Sequence, residues 1–137
     1  MLYHKQSICN GETGDCLRTA VECILELPLA TLRNYTEPEY RALWFSYLCN
    51  DLWRLGKIRT YTFEGGALWW PEGYWVATVP SLNVPKSHHA VVMYGDQLAW
   101  DVSPNKRYEM VPMWLVCDGI VLHGYEAYLD SRYQEAA

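Results

Sequence analysis

Three residues of this 137-residue chain have the types and the order needed to act together on a carbonyl group. Cys16 follows Gly14-Asp15 and opens a segment of helical periodicity, so its sulfur belongs at the positive end of a helix. Free N–H groups and the macrodipole there favour thiolate over thiol. His89 opens the apolar run Ala90-Val91-Val92-Met93, and Asp101 lies near the end of the run that follows Gly95-Asp96. Nucleophilic acyl transfer needs these three roles: a thiol that attacks, an imidazole that handles its proton, and a carboxylate that fixes the imidazole's tautomer and charge. Each residue alone has a plainer explanation, since cysteines are commonly buried small residues and hairpin His and Asp are commonly exposed. The combination points to chemistry.

Strand geometry tests whether His89 and Asp101 can meet. If residues 94–96 form a three-residue loop, Met93 pairs with Gln97 and His89 falls directly opposite Asp101 on one face. A two-residue loop at Gly95-Asp96 would set them on opposite faces.

The elements that must position these residues are legible from spacing. Leu17, Ala20, Val21, Ile24, Leu25 and Leu27 predict a helix over residues 17–27, with Asp15 as its cap and Pro28 as its stop. A second helix is expected from Thr36 and Glu39 at capping-box spacing, with Pro38 in its first turn. Leu43, Trp44, Tyr47, Leu48, Leu52 and Leu55 form its stripe, Cys49 is a buried small residue, and Gly56 is a left-handed stop. Residues 57–63, 74–79, 89–94, 97–102 and 120–123 are short β-branched and aromatic runs and read as strands. Turn chemistry separates them at Gly65-Gly66, Pro71-Glu72-Gly73, Pro80, Pro85, Gly95-Asp96 and Pro104-Asn105. Helices followed by strands predict one α+β domain over residues 1–137, with N-terminal helices packed on a mostly antiparallel sheet. The polar tail after Tyr128 reads as a short helix or a frayed end.

Composition narrows the function. Eleven Lys and Arg against sixteen Asp and Glu give a net charge of −5, and basic residues do not cluster with aromatics as a nucleic-acid groove requires. The N-terminus lacks an apolar signal core, and no run approaches the roughly 18 apolar residues of a membrane helix, so a soluble cytoplasmic protein is expected. Five cysteines without paired spacings read as reduced thiols. Cys9, Cys16 and Cys23 recur every seven residues, but adjacent His88 and His89 suit zinc poorly, so no metal is expected. Asn34-Tyr35-Thr36 matches the glycosylation sequon and, without export, reads as a chance match. His88 should face away from His89, toward solvent or an indirect contact, and His4 and His123 are isolated.

A cysteine helix, then a His-Ala-Val-Val strand, then an Asp is the order of the papain-like cysteine peptidase clan. Gly14-Asp15-Cys16-Leu17-Arg18-Thr19-Ala20 with Leu25-Glu26-Leu27-Pro28 resembles a small, mostly phage-encoded branch of it, related in plan to bacteriocin-processing peptidases and transglutaminase-like proteins. The resemblance covers residues 6–35 and 87–104. It implies Cys16 as nucleophile, His89 as general base, Asp101 as its orienter, and Gln6 with the Cys16 backbone N–H as oxyanion donors; papain-type spacing would select Asn10 in place of Gln6. Asp101-Val102-Ser103-Pro104 departs from the Asp-Pro pairing of that family. The implied activity is a cysteine-dependent hydrolase that cleaves an amide, isopeptide or thioester bond of a peptide, protein or other acyl substrate through a thioester acyl-enzyme. It needs no cofactor and acts in the cytoplasm of an infected bacterial cell. Two alternatives stay open. One is a binding module with a weakened site that uses an exposed share of the aromatic run Leu68-Trp69-Trp70-Pro71-Glu72-Gly73-Tyr74-Trp75, and the other is a transglutaminase-like acyltransferase.

Overall fold

The buried stripe of Ala20, Val21, Ile24 and Leu25 forms where the spacing requires it, on helix α1 (Cys16–Leu25). The computed structural model describes residues 1–9, 14–66, 69–82, 86–105 and 108–136. The Pro85 turn therefore lies outside the described residues. Helix α1 ends one turn before Pro28, with Glu26 in the left-handed region at φ 54. Leu27 is still buried, but beyond the helix.

The second expected helix is two. Helix α2 (Pro38–Arg41) is a single turn with Pro38 at its first position, and α3 (Trp44–Gly56) follows after a break at Leu43. The break leaves Leu43 61% exposed, off the stripe to which spacing assigned it, while Leu48 and Leu52 are fully buried. No capping box forms: Glu37 is the N-cap, and the Thr36 hydroxyl is within 2.9 Å of the Gly14 carbonyl, a tertiary partner the local motif could not anticipate. Nor is Gly56 the left-handed stop, because Lys57 takes that conformation at φ 56. Gly56 is needed for space, since a Cβ there would stand 2.3 Å from the Tyr128 ring.

Five strands follow: β1 (Arg59–Glu64), β2 (Tyr74–Pro80), β3 (His88–Tyr94), β4 (Gln97–Asp101) and β5 (Asp118–His123). They form one sheet in the order β1-β5-β2-β3-β4 with antiparallel pairing throughout. The polar tail is helical, as α4 (Tyr125–Ala136). The architecture is thus α+β, with the N-terminal helices on the sheet.

Both sheet faces are covered, by different means. On one, Val76, Ala90, Val92, Ile120 and Leu122 pack with α1 and with Leu48 and Leu52 of α3. On the other, Trp75, Ala77, Val79, Val91 and Met93 pack under the segment carrying Tyr108, Val111, Met113 and Val116, which includes a 3₁₀ turn at Met113–Leu115. That two-sided burial explains why β3 reads as a continuous apolar run and not as an alternation. Among the described residues no helix is long and apolar enough to cross a membrane.

Candidate active site

The hairpin of β3 and β4 turns on two residues, Gly95 and Asp96, with Tyr94 paired to Gln97 and Met93 to Leu98. Gly95 takes φ +55, a left-handed value that suits glycine at the first position of a tight hairpin turn. Of the two loops weighed from the sequence the shorter one forms, and continuing its register would send His89 and Asp101 to opposite faces. The register does not continue. Between Met93 and Val92 the partner jumps from Leu98 to Trp100, so Ala99 is an extra residue in β4. This bulge restores the parity, and Asp101 pairs with Val91, two residues from His89 on the same face.

On that face His89 Nε2 lies 2.7 Å from Asp101 Oδ1, within charge-assisted range, and both side chains are buried. Asp101 is only 4% exposed. Its Oδ1 also accepts the Ser103 N–H at 2.9 Å, and its Oδ2 accepts the Tyr108 N–H at 3.3 Å. The Tyr108 ring lies parallel to the imidazole, 10° between planes and 6.4 Å between centroids, and its hydroxyl donates to the Pro80 carbonyl. Carboxylate and ring are thus fixed from several sides.

Because Nε2 faces Asp101, Nδ1 is the nitrogen left for a second partner, and Cys16 lines the same cavity as the imidazole and interacts with it. Cys16 reaches His89 from the opposite face because α1 packs across β3 and His89 stands next to the strand's first residue. Burial works against a charge on His89, yet the hydrogen bond to the Asp101 carboxylate and the neighbouring Cys16 raise its pKa from 6.5 to about 9. The imidazole is therefore held as imidazolium at neutral pH. Burial likewise disfavours the charged form of four thiols: it is the main cause raising the pKa of Cys9, Cys49 and Cys117, and it pushes Cys23 up to about 11.

Asp15 does not cap α1 with its side chain. Its carboxylate is buried, with Oδ1 accepting the N–H groups of Ser7 and Ile8 at 3.0 and 2.9 Å and Oδ2 paired with Arg18 at 3.2 Å. The Asp15 N–H in turn donates to the Ile8 carbonyl. Asp15 thereby pins residues 6–8 to the start of the cysteine helix. Gln6 rides on that segment, but its side-chain amide donates to the Ile8 carbonyl at 2.8 Å, and it is not among the residues lining the cavity at Cys16. Asn10, the alternative donor, lies outside the described residues.

Cys16 and His89 share a cavity of about 290 Å³ with Leu17, Tyr35, Thr36, Arg41, Trp44, Thr78, Ala90 and Asp118, and with His88. Sequence reasoning placed His88 on the face opposite His89, which holds; that this face opens onto the cysteine cavity became visible only once α1 was docked. The aromatic run is not the wall of this cavity. Trp69 is 54% exposed against Phe63, and Trp70 packs toward Trp75, whereas the wall takes Tyr35 and Trp44. Leu68 lies outside the described residues. Tyr108 was also missed, and no local motif marks it: it comes to His89 only because its segment covers the second sheet face. Ser103 could have been found, since an Asp carboxylate accepting the N–H two residues on is a common turn.

Among the described residues no three His, Cys, Asp or Glu side chains gather as a metal site. No protein-family model, curated protein or solved structure matches the chain, so the geometry of the site carries the functional reading.

Proposed function

We propose that the protein is a cysteine-dependent hydrolase in which Cys16, His89 and Asp101 cleave an amide, isopeptide or thioester bond. The observation that carries this reading is the buried His89 imidazole, hydrogen-bonded through Nε2 to Asp101 at 2.7 Å and sharing one cavity with Cys16 at the head of α1. In the first half-reaction the Cys16 thiolate attacks the carbonyl carbon, and the C=O electron pair moves to oxygen. Collapse of that intermediate expels the leaving group, which takes the proton held on His89, and leaves a thioester on Sγ. In the second half a water attacks the thioester while His89 accepts its proton; the C–S bond breaks, and thiolate and imidazolium are regenerated. Asp101 keeps the charge and the tautomer of His89 correct throughout. The backbone N–H of Cys16, at the head of α1, is one donor to the oxyanion. Gln6 is the second in this reading, and it must exchange its bond to Ile8 for that role.

We place the activity in a reducing cytoplasm, in keeping with the free thiols of Cys9, Cys16, Cys23, Cys49 and Cys117 and with the resemblance to a phage-encoded branch.

The test is alkylation by iodoacetamide, followed at each cysteine by mass spectrometry across pH. Cys16 should react far faster at neutral pH than the more exposed Cys9, and this advantage should vanish in His89→Ala. A Cys16 that reacts no faster than Cys9 overturns the proposal.

A further inference from the structure

Resting on that reading of Cys16, we infer that the cavity beside it selects an acyl substrate with a large apolar side chain, aliphatic or aromatic, close to the scissile carbonyl. The inference comes from what the wall has left to offer. Three of its residues carry hydroxyls, and the protons of all three are engaged by the protein. Tyr35 donates to Asp51 Oδ2 at 2.9 Å. Thr36 lies 2.9 Å from both the Gly14 carbonyl and Asn34 Oδ1. Thr78 Oγ1 faces the Asp118 carbonyl at 3.4 Å and accepts the Asp118 N–H at 3.1 Å. The remaining wall is mostly carbon, from Leu17, Ala90, the Tyr35 ring and the Trp44 indole, whose N–H is the one side-chain donor among them, while the ionisable side chains Arg41, His88 and Asp118 are exposed.

A polar substrate group entering such a wall would regain few of the hydrogen bonds it gave up with water, whereas an apolar one gains from leaving water. Size points the same way. At about 290 Å³ the cavity lies just below the roughly 300–1,000 Å³ of sites that enclose whole small molecules, so it suits one large side chain beside the reacting carbonyl. The acyl half is the part that stays bonded to Sγ through both half-reactions. A pocket whose wall contains the sulfur is thus filled throughout only by a side chain of that half.

The wall is also built to hold its shape. Asp51, which receives the Tyr35 hydroxyl, is gripped by Arg33 through two bonds of 2.8 and 2.9 Å, and that guanidinium lies over the rings of Tyr40 and Tyr47 at 5.0 and 4.8 Å. The Tyr35 ring is therefore a fixed wall and not a side chain that swings aside for any substrate.

The experiment uses the full chain and a set of dipeptidyl vinyl sulfones, in which the residue bearing the electrophile and the one before it are varied in turn through Gly, Ala, Leu, Phe, Asn and Asp. The rate of Cys16 modification is read by intact mass and divided by the iodoacetamide rate of the same protein. At one of the two positions Leu or Phe should exceed Gly, Asn and Asp by about 10- to 100-fold, the range expected for burying such a side chain. Trp44→Ala should reduce that ratio at least threefold, and dividing by the iodoacetamide rate separates loss of the wall from loss of the folded site. Equal rates across the set with a fast, His89-dependent iodoacetamide reaction would overturn the apolar selectivity and leave the nucleophile standing. A preference for Asn or Asp, or a ratio untouched by Trp44→Ala, would overturn it as well. Slow iodoacetamide labelling of Cys16 would bring down the hydrolase reading, and the selectivity with it.

Discussion

Replacing Asp101 by Asn separates the charge of the orienting residue from its geometry. Oδ1 of Asp101 receives both the His89 Nε2 contact and the Ser103 N–H, so an Asn with its oxygen at that position keeps both. Its amide group then meets the Tyr108 N–H where a carboxylate oxygen stood at 3.3 Å, leaving a buried donor facing a donor. That should cost about 1–2 kcal/mol of stability. The reverse orientation would set the amide against His89 and Ser103 together and is worse. The ring therefore stays in place, and what changes is the charge. A hydrogen bond to a charged group contributes about 1.5–3 kcal/mol and a neutral one about 0.5–1.5, a difference of about 1–1.5 kcal/mol, or close to one pH unit at about 1.36 kcal/mol per unit. In the parent, burial lowers the His89 pKa while Asp101 and Cys16 raise it to about 9. In Asp101→Asn the midpoint should fall by about one unit and stay above the ordinary His value of about 6.5, because the interaction of His89 with Cys16 remains. The assay is an NMR titration of the His89 ring, with His4, His88 and His123 as internal references. The upper limb of hydrolysis, where His89 loses the proton destined for the leaving group, should shift down with it. A parent midpoint near the ordinary His value of about 6.5, or a midpoint that ignores the substitution, would refute the argument.

Other predictions follow from the same hydrogen bonds. Asp15→Ala removes the shared acceptor of two backbone N–H groups and should cost about 2–3 kcal/mol. Asp15→Asn, which can keep both at Oδ1 and loses only the Arg18 pair, should recover most of the melting temperature; equal losses would show that the ion pair matters more than the clamp. Glu22, fully buried in α1, accepts the N–H groups of Ala30 and Leu32 at 3.2 and 2.9 Å, and burial raises its pKa against those bonds. Glu22→Ala should destabilise by about 2–4 kcal/mol in chemical denaturation by orphaning two donors, and an unchanged midpoint would mean that water replaces the carboxylate.

Much of the site was legible in the chain itself, because it rests on local rules. The periodicity after Cys16 makes a helix that starts at the thiol, the β-branched runs make strands within two residues of those observed, and strand alternation separates His88 from His89. The α+β class follows from the order of those elements. Tertiary structure decided everything that depends on a partner distant in sequence. Thr36 and Asp15 have the local chemistry of helix caps, yet Gly14, Ser7 and Ile8 outbid the helix for them. His89 and Asp101 share a face through a bulge at Ala99 and not through a three-residue loop. A bulge changes parity by one residue while leaving the pattern of apolar residues nearly intact, so composition carries little trace of it. Tyr108, Trp44 and His88 came to the site in the same way, through the docking of whole elements on the two faces of one sheet. Sequence sets which groups can react, because that is a property of side chains; where they meet is set by packing, which every element shares.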